Sequence, residues 1–185
     1  MPEYRPLPGE ALRVCAALQA PPRLIAHLTL VHDTAVRLVA KFQQAFPEVE
    51  LDTASILFGA ATHDIGKSTY TEELIGPGKS HEAKGVDLLR KAGASEEMSR
   101  FAFTHGNWDR DAELQLEDLL VALADNCWKG KRVPELETLI VNCLVSATGK
   151  AEWEAFAILD DILVNLSEDA DKRLAWQGQF PADLK

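Results

Sequence analysis

No stretch of this 185-residue chain approaches 18 consecutive apolar residues, about the least a helix needs to cross a bilayer. The opening MPEYRPLPGE lacks the basic-then-apolar order of a secretory signal. These absences set two expectations: no membrane partner and a cytoplasmic location. Cysteine is scarce, and Cys15, Cys127 and Cys143 form no C-x-x-C pair. An odd, scattered set argues against both a disulfide framework and a cysteine zinc site and reads as small buried hydrophobes. Positive charge is also short, with 19 Lys and Arg against 29 Asp and Glu and a net charge of −10. Bulk nucleic acid needs a basic face and is therefore not an expected partner. A small phosphorylated substrate remains open if a metal supplies the local positive charge.

Strand-like alternation and internal repeats are absent too. Proline and glycine instead punctuate a series of helical patterns, so the expected class is all-α. Helices are expected over about 10–19, from Pro21-Pro22 to Phe46, over 52–63, from Ser80 as N-cap to Gly93, and briefly after Ser95. Three more fit residues 113–129, 134–146 and 150–166, with Gly130 and Gly149 near their ends. No linker is long enough to divide the chain.

Two stretches end in Gly-Lys-Ser, the close of a nucleotide-binding phosphate loop. Such a loop needs G-x-x-x-x-G-K-[ST] after a strand. Ala61 and Glu73 stand where the first glycine belongs, and no strand precedes either. The phosphate-loop reading fails.

All five histidines, His27, His32, His63, His81 and His105, fall on successive helical segments, the way metal sites are assembled in helical proteins. The run SILFGAAT before His63 is apolar or small all round, which marks a buried helix. His63 and Asp64 at its end need a partner for the buried charge, and a divalent cation supplies one. Neighbours on a helix point ~100° apart, so both reach one ion only where the helix is ending, as Gly66 suggests. In LLVALADNCW, Asp125 lies off the stripe of Leu116, Leu119, Leu120, Leu123 and Cys127, but faces Val121, Ala122 and Ala124. It reads as a second buried carboxylate needing a cation. Its alternative partner is Lys129, four residues on.

The order H … HD … H … H … D, with HDIGK at its centre, resembles the HD-domain superfamily of metal-dependent phosphohydrolases over roughly residues 22–132. The resemblance implies a single-domain helical bundle over 1–185, with 22–132 as metal-binding core and 133–185 as a C-terminal helical cover. Its first ligand is a His commonly followed by Val at +4 and a small residue at +8, which His27 (Val31, Ala35) and His32 (Val36, Ala40) both satisfy. Only His27 sits within the Leu30, Val31, Thr34, Leu38 face, so it is preferred, with His32 either behind the ligands or beside the substrate. His81 and His105 exceed the minimal pattern, as in the two-metal branches. By resemblance His27, His63, Asp64 and Asp125 would hold one ion, and His81, His105 and a bridging Asp64 a second. Mixed nitrogen and oxygen ligation suits Fe, Mn, Co, Ni or Zn. Gly85, one turn after His81, leaves room for a close helix approach.

The expected activity is phosphohydrolysis of a nucleotide or another small phosphate ester by a metal-activated hydroxide. Asp64 and Lys67 are the expected catalytic groups. Lys67, His32, Trp108, Lys129 and Arg132 are candidate substrate contacts, although Trp108 also reads as a core aromatic and the two basic residues as a helix cap. Absence of a GYP triplet after His105 disfavours the cyclic-dinucleotide branch. Two alternatives share the fold: a di-iron oxygenase and a catalytically silent nucleotide-sensing domain. Trp153, Phe156, Leu159 and Leu163, at mostly helical spacing, read as packing or as a face for homo-oligomers.

Overall fold

Proline and glycine set most element boundaries, because proline at the first helical position gives up no hydrogen bond and glycine tolerates the left-handed turn that ends a helix. The computed structural model describes residues 4–110 and 114–182, and every regular element among them is helical. The elements are α1 (Gly9–Ala17), α2 (Pro22–Ala45), α3 (Thr53–Thr62), α4 (Ser80–Lys91) and α5 (Glu96–Ser99). There follow α6 (Phe101–Asn107), α7 (Leu116–Cys127), α8 (Pro134–Thr148), α9 (Glu152–Ser167) and α10 (Ala170–Gln177). Two short 3-10 turns, Ile65–Ser68 and Thr71–Leu74, join α3 to α4.

Pro22 and Pro134 open α2 and α8. Gly149 closes α8 at φ 72°, and Gly93 follows α4 at φ 96°. Ser95 caps α5 by accepting from the Met98 N–H at 3.2 Å. The Ser80 expectation is corrected: Ser80 is already helical, Lys79 precedes it without a side-chain cap, and the Glu73 carboxylate accepts the Ser80 N–H at 3.1 Å. The helix expected from 113 begins at Leu116, and Glu113 lies outside the described residues. Two elements had no expected bounds, although His105 of α6 was placed on a helical segment. FAFTHGN of α6 is too short to establish a period, and α10 carries too few apolar residues to reveal a face.

Two apolar clusters organise the bundle. The larger joins Leu30, Leu38 and Phe42 of α2 to Val121 and Leu123 of α7, Ile140 and Leu144 of α8, and Leu159 and Leu163 of α9. The smaller gathers α1 with Leu24 and Leu28 of α2, Phe58 and Ala61 of α3, Ile65 and Leu89. Each large side chain so buried contributes roughly 1.5–3 kcal/mol before entropy is counted. Residues from α8 and α9 thus share one core with α2 and α7 rather than lying outside it. Only half of the expected C-terminal stripe is packing: Leu159 and Leu163 are buried, whereas Trp153 is 73% and Phe156 49% exposed.

Arg173 of α10 is almost fully buried and donates to the backbone carbonyls of Trp128 (2.5 Å) and Leu166 (2.6 Å). These carbonyls follow α7 and close α9, where orphan acceptors collect. The guanidinium therefore ties α10 to both helix ends, including the end that carries Asp125. No helix of the described residues is long and apolar enough to cross a membrane.

Candidate metal centre

Five helices and one 3-10 turn bring the expected ligands together. His27 lies in the second turn of α2, between Leu24 and Leu28 of the smaller cluster and Leu30 and Val31 of the larger. α3 ends at Thr62, with His63 as its C-cap, and Asp64 (φ −95°, ψ 10°) turns the chain into Ile65–Ser68. The helix therefore ends where two adjacent side chains must converge, as the sequence required. Gly66 and Gly85 then let α4 press onto this turn. A Cβ on Gly66 would lie 2.0 Å from the His81 carbonyl oxygen and 2.9 Å from the Gly85 nitrogen, and one on Gly85 2.9 Å from the Ala102 Cβ. This approach carries His81 to the centre, while α6 supplies His105 and α7 supplies Asp125.

His27 Nε2 lies 3.2 Å from His63 Nε2, 3.0 Å from Asp64 Oδ2 and 3.3 Å from Asp125 Oδ1. His63 Nε2 lies 3.7 Å from Asp64 Oδ2 and 3.5 Å from Asp125 Oδ1. Donors about 2.1 Å from one ion stand roughly 3.0 to 3.4 Å apart in octahedral or tetrahedral cages, so this spacing suits a metal with little movement. The other Asp64 oxygen, Oδ1, meets His81 Nε2 at 3.0 Å and His105 Nε2 at 3.4 Å. Asp64 thus divides its two oxygens between two groups of imidazoles.

Three histidines have their other nitrogen fixed. His63 Nδ1 pairs with the Ala60 carbonyl and His105 Nδ1 with the Phe101 carbonyl, each at 3.1 Å. His81 Nδ1 pairs with Glu73 Oε2 at 2.5 Å. Partners that only accept hold the proton on Nδ1 and leave Nε2 as a lone-pair donor facing the centre. Asp64 Oδ1, His81 Nε2 and Asp125 Oδ1 are buried atoms without a well-formed hydrogen bond, although each has close neighbours. Such orphans cost free energy in a protein interior. Two carboxylates and four imidazoles converging with orphaned donor atoms form a set that fits divalent cations.

The electrostatics agree. Burial pushes the Asp64 carboxyl up, but His63, Lys67, His105 and His27 outweigh it and hold it well below the usual carboxylate range. Burial acts likewise on Asp125, and His27 and His63 beside it, together with Lys129, hold it well below as well. Burial lowers His27 and His81, yet the carboxylates beside them leave both raised, whereas burial prevails at His63 and lowers it. Both carboxylates therefore stay ionised in the interior, which demands nearby positive charge.

Lys67 Nζ sits 2.6 Å from Asp64 Oδ2, with its side chain 19% exposed. Lys129 Nζ is 4.0 Å from Asp125 Oδ2, so the sequence alternative for Asp125 and its place at the centre hold together. Asp125, Lys67 and Lys129 are the partly exposed members and mark the rim where the centre meets solvent.

Three expected substrate contacts lie elsewhere. His32 is buried near Asp33 and the Arg5 backbone, and burial lowers its pKa. The face argument that preferred His27 accounts for this. Trp108 packs against the larger core and lines a separate cavity with Leu139, Asn142 and Ser146. Arg132 is occupied by Glu137 (2.9 and 2.7 Å) and Asp160 (2.7 Å), bracing α8 against α9. Glu73 is the residue that sequence reasoning missed. It contacts His81 across a loop, and no periodicity signals such a pair.

Comparison with known proteins agrees with this geometry. Residues 24–128 match the HD domain family. The chain belongs to that family, whose members are typically metal-dependent phosphohydrolases. It is also 28% identical over 130 residues to the Multifunctional CCA protein of Hahella chejuensis (strain KCTC 2396), a match covering 66% of this chain and 30% of the relative. The chain thus spans under a third of that relative's length. No solved structure gives a significant match.

Proposed function

We propose that this protein is a metal-dependent phosphohydrolase of the two-ion type, acting on a nucleotide or another small phosphate ester. The observation that carries the reading is Asp64, with Oδ2 facing His27 and His63 and Oδ1 facing His81 and His105. His27, His63, Asp64 and Asp125 would hold one ion, and His81, His105 and Asp64 the other. Bound there, Fe, Mn, Co, Ni or Zn would supply an acidified water and neutralise charge developing on the phosphoryl group.

The chain's own groups do the rest. Lys67 is the candidate to hold a non-bridging phosphate oxygen, since its ammonium stands at the rim beside Asp64. Lys129, also at the rim, draws the anion towards the centre of an otherwise acidic protein. Similarity to a protein named for CCA supports a nucleotide-derived ester over other phosphates. The net charge of −10 supports a small ester over a long polynucleotide.

A panel of phosphomonoesters, phosphodiesters and nucleotides, run on metal-loaded protein with and without oxygen, tests the proposal. Turnover should persist anaerobically, and Asp64→Ala should abolish it and release metal together. Activity that vanishes without oxygen would replace the hydrolase with a di-iron oxygenase. Tight nucleotide binding with no turnover under any metal would leave a sensing domain.

A further inference from the structure

The acidic residue eight positions before His81 has no place in the ligand pattern, yet its carboxylate is turned inwards. Glu73 lies on the second 3-10 turn and is 9% exposed. Its Oε2 accepts from His81 Nδ1 at 2.5 Å and from the His81 backbone N–H at 3.2 Å, while Oε1 accepts from the Ser80 N–H at 3.1 Å. Both oxygens are thereby committed to the first turn of α4. We propose that Glu73 is a positioning residue for the second metal position: it fixes the His81 ring with Nε2 towards Asp64 Oδ1, so that this position fills tightly only while Glu73 is in place. The inference rests on the two-ion reading above.

Two features separate this contact from an ordinary helix cap. The first is the partner type. His63 and His105 rest their Nδ1 on backbone carbonyls, whereas His81 alone of these three rests on a carboxylate, which also raises the basicity of the ligating nitrogen. The second is Gly78. A Cβ there would lie 2.3 Å from Glu73 Cδ and 2.4 Å from Oε1. The Gly78 backbone lies outside the left-handed region, so no left-handed strain is added, and the closest obstruction to alanine is the Glu73 side chain. Gly78, which opens the Gly-Lys-Ser that imitates the end of a phosphate loop, serves instead as the seat of this side chain.

Glu73→Gln and Gly78→Ala test the idea from two directions. Glutamine keeps an acceptor for the Ser80 N–H, and alanine at position 78 keeps every ligand and the carboxylate itself. Full-length protein stripped of metal is titrated with Mn(II), and bound ions are counted by calorimetry and elemental analysis. Wild type should bind two ions. Each variant should lose about 10- to 100-fold in affinity for one ion, with the other unchanged and far-UV circular dichroism preserved. Two equal ions in wild type and in both variants would overturn the role of Glu73 alone. Parallel weakening of both ions would reduce Glu73 to a helix cap. A wild type that binds a single ion would overturn the two-ion reading and this inference with it. Nitrogen NMR of the His81 ring in metal-free protein supplies a readout that capping alone does not move. The Nδ1-protonated tautomer should dominate in wild type and lose that dominance in Glu73→Gln, and an unchanged tautomer would contradict the proposal.

Discussion

Gly66→Ala probes the backbone approach that brings His81 to Asp64. At an unstrained position Gly→Ala stabilises by ~0.4–1 kcal/mol through the unfolded chain. Here the new Cβ would stand 2.0 Å from the His81 carbonyl oxygen and 2.9 Å from the Gly85 nitrogen, where real Cβ contacts stay beyond 3.0 Å. The obstruction is backbone on a packed helix, so no side chain can swing aside. α4 must retreat by at least about 1 Å, and overpacking of this kind costs ~1–3 kcal/mol or more. Overpacking therefore outweighs the entropy gain. For a chain of this size a loss of 1 kcal/mol lowers Tm by about 2–4 °C, so a fall of several degrees is expected. His81 Nε2 stands only 3.0 Å from Asp64 Oδ1, and the same retreat opens the second ion position. Thermal melts and metal counts on purified Gly66→Ala read both effects. An unchanged or higher Tm with a full metal complement would refute the reasoning.

Three further outcomes follow from the centre and the core. Lys67→Met should lower kcat by about 10- to 1,000-fold with metal content unchanged; equal loss of metal would make Lys67 a support for Asp64 instead. The stability of metal-free protein should depend on pH in two directions. Asp64 and Asp125 are depressed, so their contribution is present above about 3.9 and lost as pH falls through their folded values. His27 and His81 are raised, so theirs is full below about 6.5 and lost as pH rises through their folded values, with His63, lowered by burial, acting in the opposite sense. Metal requires neutral imidazoles, so the Tm increment on adding Mn(II) should be larger at about pH 8 than at about pH 6; an increment independent of pH would contradict the ligand set. Burial pushes the Cys15 thiol up to about 11 and the Cys127 thiol up to about 12, so native protein at about pH 8 should expose at most Cys143 to a thiol reagent. Rapid reaction of all three would mean that α1 and α7 are not packed as described.

What the sequence disclosed and what it hid divide along a physical line. His63, Asp64 and Asp125 were legible because charged groups inside apolar helical runs contradict their surroundings, and helix periodicity separates His27 from His32. The bundle was legible because proline and glycine mark helix ends by local sterics. Partners reached through the tertiary structure were not. Nothing near Arg132 predicts that Glu137 and Asp160 will both take its guanidinium, and Trp108 goes to the core, the commoner place for an aromatic, rather than to a substrate. Trp153 and Phe156 share the helical spacing of Leu159 and Leu163 yet stay exposed, because spacing defines a face without saying what covers it. Glu73 is the sharpest case. Its contact with His81 depends on a glycine loop whose course follows no local rule.

The central claim is that one carboxylate, Asp64, divides two metal positions between two sets of histidines. Anomalous diffraction from Mn-loaded crystals tests it most directly. The account predicts two peaks, one among His27, His63 and Asp125, the other beside His81 and His105, with Asp64 touching both. A single peak, or metal bound away from Asp64, would contradict it.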